Sequence, residues 1–323
     1  MKKLRELFTI EKHPRRGPLP LEWAVLAYTG FTLLLMMLMW TRLLAPEAML
    51  WCRVQAVTLL LALWGVYRML PCRLTHLARV CGQIALLGSW YPDTYEFNRL
   101  FPNLDHLFAS AEQALFGFQP ALVFAQDWPQ PVVSELLSLG YVSYYPLIGT
   151  MVFYYFVQRY EQFDRAVFTI IASFFLFYAI FIFLPVAGPQ YYYVAAGVDQ
   201  IAAGVFPDVG NYFETHQESL PIPGWKDGFF HDLVIFFHDA GERPTAAFPS
   251  SHVGVTVVLL WLARQARSRL LLWFMVPLAL LMFFATFYIQ AHYAIDAIAG
   301  LVAGTIIYFI CQGLYTLLFR SKH

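Results

Sequence analysis

The chain has 323 residues, 59% of them hydrophobic and only 13% charged, with a mean hydropathy of +0.55. Soluble domains carry about 25% charged residues, so composition excludes an ordinary soluble protein and indicates an integral membrane one. A formal net charge of zero argues against a nucleic-acid partner, which would want a basic surface.

Residues 1–18 form a basic tail with Lys2, Lys3, Arg5, Lys12, Arg15 and Arg16, and lead into Pro18 and Pro20. The apolar run from Leu21 to Leu44 is too long for a signal-peptide core and shows no small-residue cleavage pattern. It reads as an uncleaved first span. A crossing needs about 20 apolar residues. Further candidates lie near 50–70, 74–91, 132–157, 165–187, 249–263, 270–289 and 292–318. The expectation is an all-α, polytopic membrane bundle of about eight transmembrane helices, forming a single membrane domain over 19–320. Thr75, His76, Arg79 and Gln83 make 74–91 the weakest span, and the last two spans must turn sharply around Gln290-Ala291.

Basic residues orient the bundle. With the N-terminus inside, the inner segments hold the tail residues plus Arg68, Arg73, Arg79, Arg159, Arg165, Arg264, Arg267, Arg269, Arg320 and Lys322. The outer segments hold only Arg42, Arg53, Arg99, Lys226 and Arg243. Both termini are therefore expected in the cytoplasm. Cys52, Cys72, Cys81 and Cys311 form no close pair and read as structural. Together with the charge bias, this favours a bacterial inner membrane over a Golgi-like lumenal setting. Two long outer segments, 91–131 and 188–247, carry most of the acidic residues, and segments of such length are often functional lids. Each contains a stretch resembling a short interfacial helix, Leu104–Phe116 and Phe229–Phe237.

Two motifs forty positions apart carry the chemistry: Phe248-Pro249-Ser250-Ser251-His252-Val253-Gly254 and Ala291-His292-Tyr293-Ala294-Ile295-Asp296. The topology puts His252, His292 and Asp296 at the outer ends of two spans, at one depth. Ser250 or Ser251 suits a helix N-cap, and a helix N-terminus with its free N–H groups suits a phosphate. His252 in the first turn is then placed to protonate a leaving oxygen. His292 and Asp296, four apart, share a face if helical, so the carboxylate would fix the imidazole for attack on phosphorus. A single histidine at a span end is ordinarily an interfacial residue, whereas an intramembrane His-x-x-x-Asp pair is costly and usually functional.

F-P-S-S-H and H-Y-A-I-D resemble the second and third motifs of the type 2 phosphatidic acid phosphatase superfamily, P-S-G-H and S-R-x5-H-x3-D. The resemblance covers about 165–318, the expected catalytic core. It implies His292 as nucleophile, Asp296 as its partner and His252 as general acid. The third motif's Ser-Arg falls on Ala285-Thr286, so its phosphate-binding arginine is missing. The first motif, K-x6-R-P, meets only Arg243-Pro244, with Phe236 at its lysine position. These departures resemble the branch of inositol phosphorylceramide synthases and related head-group transferases. That branch carries P-S-x-H and H-Y-x-x-D, and an upstream Pro/Tyr segment similar to Gly188-Pro189-Gln190-Tyr191. Gln190 thereby joins Ser250 and Ser251 in the expected substrate-binding set.

Arg243 is the first candidate to offset phosphate charge and Lys226 the second, being the basic residues of that outer loop. The plain alternative for both is a solvated or headgroup-anchoring role. His216, His231 and His238 share the loop with acidic residues, but their spacing matches no metal-ligand pattern. No D-x2-D-G-type motif suggests a CDP-alcohol phosphotransferase. The expected partners are the bilayer and a lipid substrate, a phospholipid donor with ceramide or another alcohol as acceptor. No metal or other cofactor is needed. The alternatives are a lipid phosphate phosphatase using the same three residues, a transporter, and an inactive scaffold. Transporters gather ionisable residues near the midplane of repeated halves, a pattern not evident here.

Overall fold

The computed structural model describes residues 6–12 and 14–319, so Lys2, Lys3, Arg5, Arg320 and Lys322 of the charge count lie outside the described residues. The chain is helical, with no strand among the described residues. In order, α1 is Pro20–Met39, α2 Pro46–Met69, α3 Arg73–Ala85, α4 Leu87–Asn98, α5 Asp105–Phe116, α6 Pro120–Asp127, α7 Pro131–Val142 and α8 Tyr144–Gln158. Then follow α9 Phe163–Phe183, α10 Pro189–Ala196, α11 Val198–Ala202, α12 Phe229–Gly241, α13 Ser251–Gln265, α14 Arg269–Tyr288 and α15 Ala294–Phe319.

Five of these helices are long and apolar enough to cross a membrane: α1, α2, α9, α14 and α15. A sixth crossing results if α7 and α8, bent by 46° at their junction, count as one. Pro146 explains the bend, because it has no N–H for the Val142 carbonyl and its ring crowds that turn. The other expected spans differ. The 74–91 segment is divided at Leu86 into α3 and α4, and 249–263 becomes α13, a helix of 15 residues. At about 1.5 Å per residue, α13 falls short of a 30 Å hydrocarbon layer.

Arg79 and His76, two of the polar residues that thin out α3, are buried by pairing, whereas the buried Gln83 side chain has no hydrogen-bond partner among the described residues. Arg79 donates to Glu22 of α1 at 2.5 and 2.8 Å, and His76 contacts Asp164 of α9 at 2.8 Å. Beyond Asp164 and Arg165 in its first turn, α9 is predominantly apolar and buried, as expected of a helix at the bundle centre, and α1, α4, α8, α13 and α15 pack around it.

The contact that sets the site is α13 against α15. A Cβ on Gly300 would lie 2.6 Å from the Ser250 carbonyl oxygen, and one on Gly304 would run into the backbone of Gly254. Small residues spaced by four let two helix backbones touch. This contact brings the N-terminal ends of both helices, and so both motifs, together.

Gly304→Ala is expected to lower the thermal midpoint of the detergent-solubilised protein, at a cost of about 1–3 kcal/mol. Gly313→Ala on the same helix, where an added Cβ meets nothing within 4 Å, is expected to leave the midpoint unchanged. Equal midpoints for the two variants would contradict the close crossing.

Candidate active site

Three loop segments meet beneath the two helix ends. Ala247 donates its amide to Val186 at 3.0 Å, Gln190 to Gln290 at 2.9 Å, and Ser250 to the Asp296 carbonyl at 3.0 Å. Gly188, at φ +92°, permits this approach, since a Cβ there would stand 2.6 Å from the Ala291 carbonyl oxygen. Ala246 and Gln290 are left-handed, at φ 67° and 65°. Such backbones cost about 1–3 kcal/mol each for residues with a side chain and persist only where surrounding structure imposes them. Gln290 is the sharp turn expected between the last two spans, and its amide is tied to the Ala121 carbonyl at 3.0 Å.

Ser250 caps α13, its hydroxyl accepting from the Val253 amide at 3.4 Å, which places His252 in the first turn. The His252 ring lies between Tyr141 and Tyr144, at centroid distances of 4.6 and 4.5 Å, and its Nδ1 is buried without a hydrogen-bond partner. The His292 ring stands 5.8 Å away, crossing it at 68°.

His292 lies in the turn ahead of α15 rather than on the helix. Its backbone amide donates to the Thr286 carbonyl at 3.1 Å and its Nδ1 faces the Ala247 carbonyl at 2.7 Å. A carbonyl only accepts, so Nδ1 carries the proton and Nε2 keeps the lone pair. Burial pushes this imidazole down to about 4, against the opposing pull of the Ala247 bond and Glu242. It is therefore neutral at neutral pH.

Asp296 stands beside His292, as its spacing suggested, without a hydrogen bond to the imidazole. Its Oδ2 accepts from the Tyr293 amide at 2.8 Å and stands 3.7 Å from His292 Nδ1. Because α15 begins at Ala294, the two residues meet across the turn ahead of the helix, and the same carboxylate caps that turn. The Ala247 carbonyl sets the tautomer, and Asp296 adds a nearby carboxylate.

Two further carboxylates come from α5, the helix expected over Leu104–Phe116. Asp105 accepts from the Ala187 and Gly188 amides at 2.6 and 2.8 Å and from the Tyr293 hydroxyl at 3.0 Å. Glu112 accepts from the Ala294 amide at 2.6 Å and leaves its other oxygen buried and unpartnered. A helix N-terminus favours such acceptors. Sequence reasoning missed both residues as site components, because acidic residues in a long outer segment carry no sign of where they fold back.

Ser250 and Ser251 join His252, His292 and Asp296 at the helix ends. Gln190 is buried nearby, its Nε2 3.3 Å from His238 Nε2. Arg243 is exposed and donates to the Glu242 carbonyl at 3.2 Å, and Lys226 is exposed beside Trp225, whose amide donates to Ser134 of α7. Among the described residues, neither basic side chain is hydrogen-bonded to His252 or His292. Thr286, at the position where the resembled motif has arginine, is fully buried with its hydroxyl turned onto the Phe283 carbonyl. His216 stacks on Tyr212, His231 contacts the Ile222 carbonyl and His238 lies beside Asp239. Among the described residues, no three His, Cys, Asp or Glu are grouped as metal ligands.

A slot of about 720 Å³ leads away from His252 between α3–α4 and α8, floored by Phe174 and Tyr178 of α9. Tyr144, Ile148 and Val152 line it along one face of α8, and Glu242, Tyr91 and Ser251 stand with His252 at its polar end. Cys81 and Phe153, both exposed, lie at the other end.

Burial and the neighbouring Asp296 charge push the Glu112 carboxyl from 4.5 up to about 8. A carboxyl raised on folding stabilises the fold below its unfolded value, and that stability is lost as pH rises through the folded value. The wild-type unfolding midpoint should therefore fall between pH 4.5 and about pH 8. Glu112→Gln, which mimics the protonated form, should fall less over that window. Parallel curves for the two proteins would contradict a buried, protonated Glu112.

A family model described as PAP2 superfamily matches residues 105–310, a stretch that includes both histidine motifs and α5. Neither a curated protein nor a solved structure matches the chain. Proteins of the superfamily are typically phosphatases or phosphotransferases. With well over half of its length matched, the chain belongs to the PAP2 superfamily.

Proposed function

We propose that this chain is a membrane-embedded lipid phosphotransferase, similar in its motifs to inositol phosphorylceramide synthases, working through a phosphohistidine on His292. One observation carries the reading: His252 stands both against the His292 ring, at 5.8 Å, and at the polar end of a large apolar slot. In the first step, His292 Nε2 attacks the donor phosphorus. The phosphorus–oxygen bond to the lipid alcohol breaks, and that oxygen takes a proton from His252. In the second step, an alcohol such as ceramide gives its proton back to His252 and displaces His292. Positioned acid–base catalysis of this kind contributes about 10²–10⁴-fold.

The slot is apolar and opens beside exposed Cys81 and Phe153, which suits an alkyl chain entering sideways from the bilayer. The count of basic residues supports an extracytoplasmic site with both termini cytoplasmic, and eight crossings if α3–α4 and α13 traverse with the rest. Water in the second step would make the same centre a phosphatase. The superfamily match fits that reading too, but Thr286 in place of the phosphate-binding arginine weighs towards a phosphodiester donor with less charge to offset.

The test is product analysis by mass spectrometry with a phospholipid donor, with and without ceramide. A new phosphodiester lipid, reduced at least about 10³-fold in His292→Ala, is the expected result. Free phosphate from a phosphomonoester lipid would favour the phosphatase, and undiminished activity in His292→Ala would sink the mechanism. Gly149 lines the slot, and a Cβ there meets open space. Gly149→Leu is therefore expected to raise KM for long-chain donors and leave short-chain analogues unaffected; equal effects on both would remove the alkyl chain from the slot.

A further inference from the structure

Glu242 is a carboxylate beside a centre built to handle phosphate. It lies at the polar end of the slot, accepts from the Tyr91 hydroxyl at 3.0 Å, and interacts electrostatically with both His292 and His238. The phenols of Tyr141, Tyr145, Tyr178 and Tyr191 also lie within its electrostatic reach. Burial raises its carboxyl above the ordinary carboxylate value. A charge held here without a partner is costly, and it repels a phosphate.

The lining around it is aromatic. Tyr91, Tyr144, Tyr145, Tyr178 and Phe237 form the slot wall nearest Glu242, and no lysine or arginine among the described residues lines the slot. Tyr91 and Tyr178 stand 6.0 Å apart, and Tyr145 and Phe237, both exposed, stand 5.5 Å apart at the edge of the slot. Aromatic rings around a single carboxylate suit a cation, above all an alkylated ammonium, whose charge attracts ring faces and whose methyl groups prefer an apolar wall.

We infer that Glu242 and the surrounding tyrosine rings form a binding site for a cationic ammonium head group on the lipid substrate. This deepens the proposed transfer and rests on it for the substrate's orientation. An ammonium between Glu242 and the phosphate makes the charges alternate in sign from the carboxylate to the phosphorus. It also relates two facts left apart so far: Thr286 supplies no cation, and Arg243 is exposed on the Glu242 carbonyl. A zwitterionic head group brings its own positive charge and leaves a phosphodiester with a single negative one. Coulomb attraction is strengthened where water is excluded.

The test is equilibrium binding to the folded His292→Ala protein in a neutral detergent, so that turnover does not interfere. The probes are hexadecylphosphocholine and its carbon isostere, in which tert-butyl replaces trimethylammonium. About tenfold tighter binding of the ammonium lipid is expected. Glu242→Gln should reduce that ratio to about threefold or less, and Tyr145→Leu, at the slot edge, should reduce it independently. Equal affinity of the wild-type cage for the two probes, or tighter binding of an inositol-headed lipid, overturns the inference. Turnover separates the two readings. His292-dependent transfer without preference for the cationic head leaves the transferase standing and removes the cage. Absence of His292-dependent transfer from any donor removes the transferase, and the binding ratio still judges the cage.

Discussion

The site depends on one backbone carbonyl, that of Ala247, placed 2.7 Å from His292 Nδ1. That contact fixes which imidazole nitrogen carries the proton and so which one holds a lone pair. It requires the 246–250 segment to pass under the turn ahead of α15, and left-handed Ala246, left-handed Gln290 and side-chain-free Gly188 are the means. Strain of this kind is stored at sites whose surroundings over-determine them. The surroundings here are the glycine-lined crossing of α13 and α15 and the two carboxylates of α5.

The α5 contribution changes how the long outer segment 91–131 reads. It folds back so that Asp105 holds the Gly188 loop and the Tyr293 hydroxyl, while Glu112 holds the first amide of α15. Three carboxylates, Asp105, Glu112 and Asp296, are thus fully buried around one helix start. In apolar surroundings each must find N–H or O–H donors, and free amides at loop and helix ends supply them. The two histidines therefore stand on an acidic foundation.

Much of the site was legible in the sequence because its elements are local. A serine three residues before an amide it caps, a histidine in the first turn and a turn at Gln290 all follow from short-range rules, and the structure has each of them. What was not legible is long-range. The partner of His292 comes from a position forty-five residues earlier, and a backbone carbonyl has no signature in residue types. Spacing pointed to Asp296, which does lie 3.7 Å from Nδ1, but the hydrogen bond goes to the Ala247 carbonyl. Hydropathy identified the five long spans. It missed that the 74–91 segment is divided at Leu86 into two helices, because helices buried inside a bundle need not match the bilayer thickness. Gly300 and Gly304 lay in an apolar run without attracting notice, although their spacing of four was the readable sign of a close crossing. Nothing in the residue types around Glu242 places it at the end of the slot.

A neutral, geometrically fixed imidazole stands beside His252 at the polar end of an apolar slot, and the proposed chemistry turns on a covalent intermediate. The most direct measurement is peptide mass spectrometry after rapid quenching at alkaline pH, which preserves phosphoramidates, during turnover of a phospholipid donor. The account predicts a transient, acid-labile adduct of the head-group phosphate on the peptide containing His292, lost when acceptor alcohol is added in excess. Continued turnover with no adduct on that peptide, or with the adduct on another residue, would contradict it.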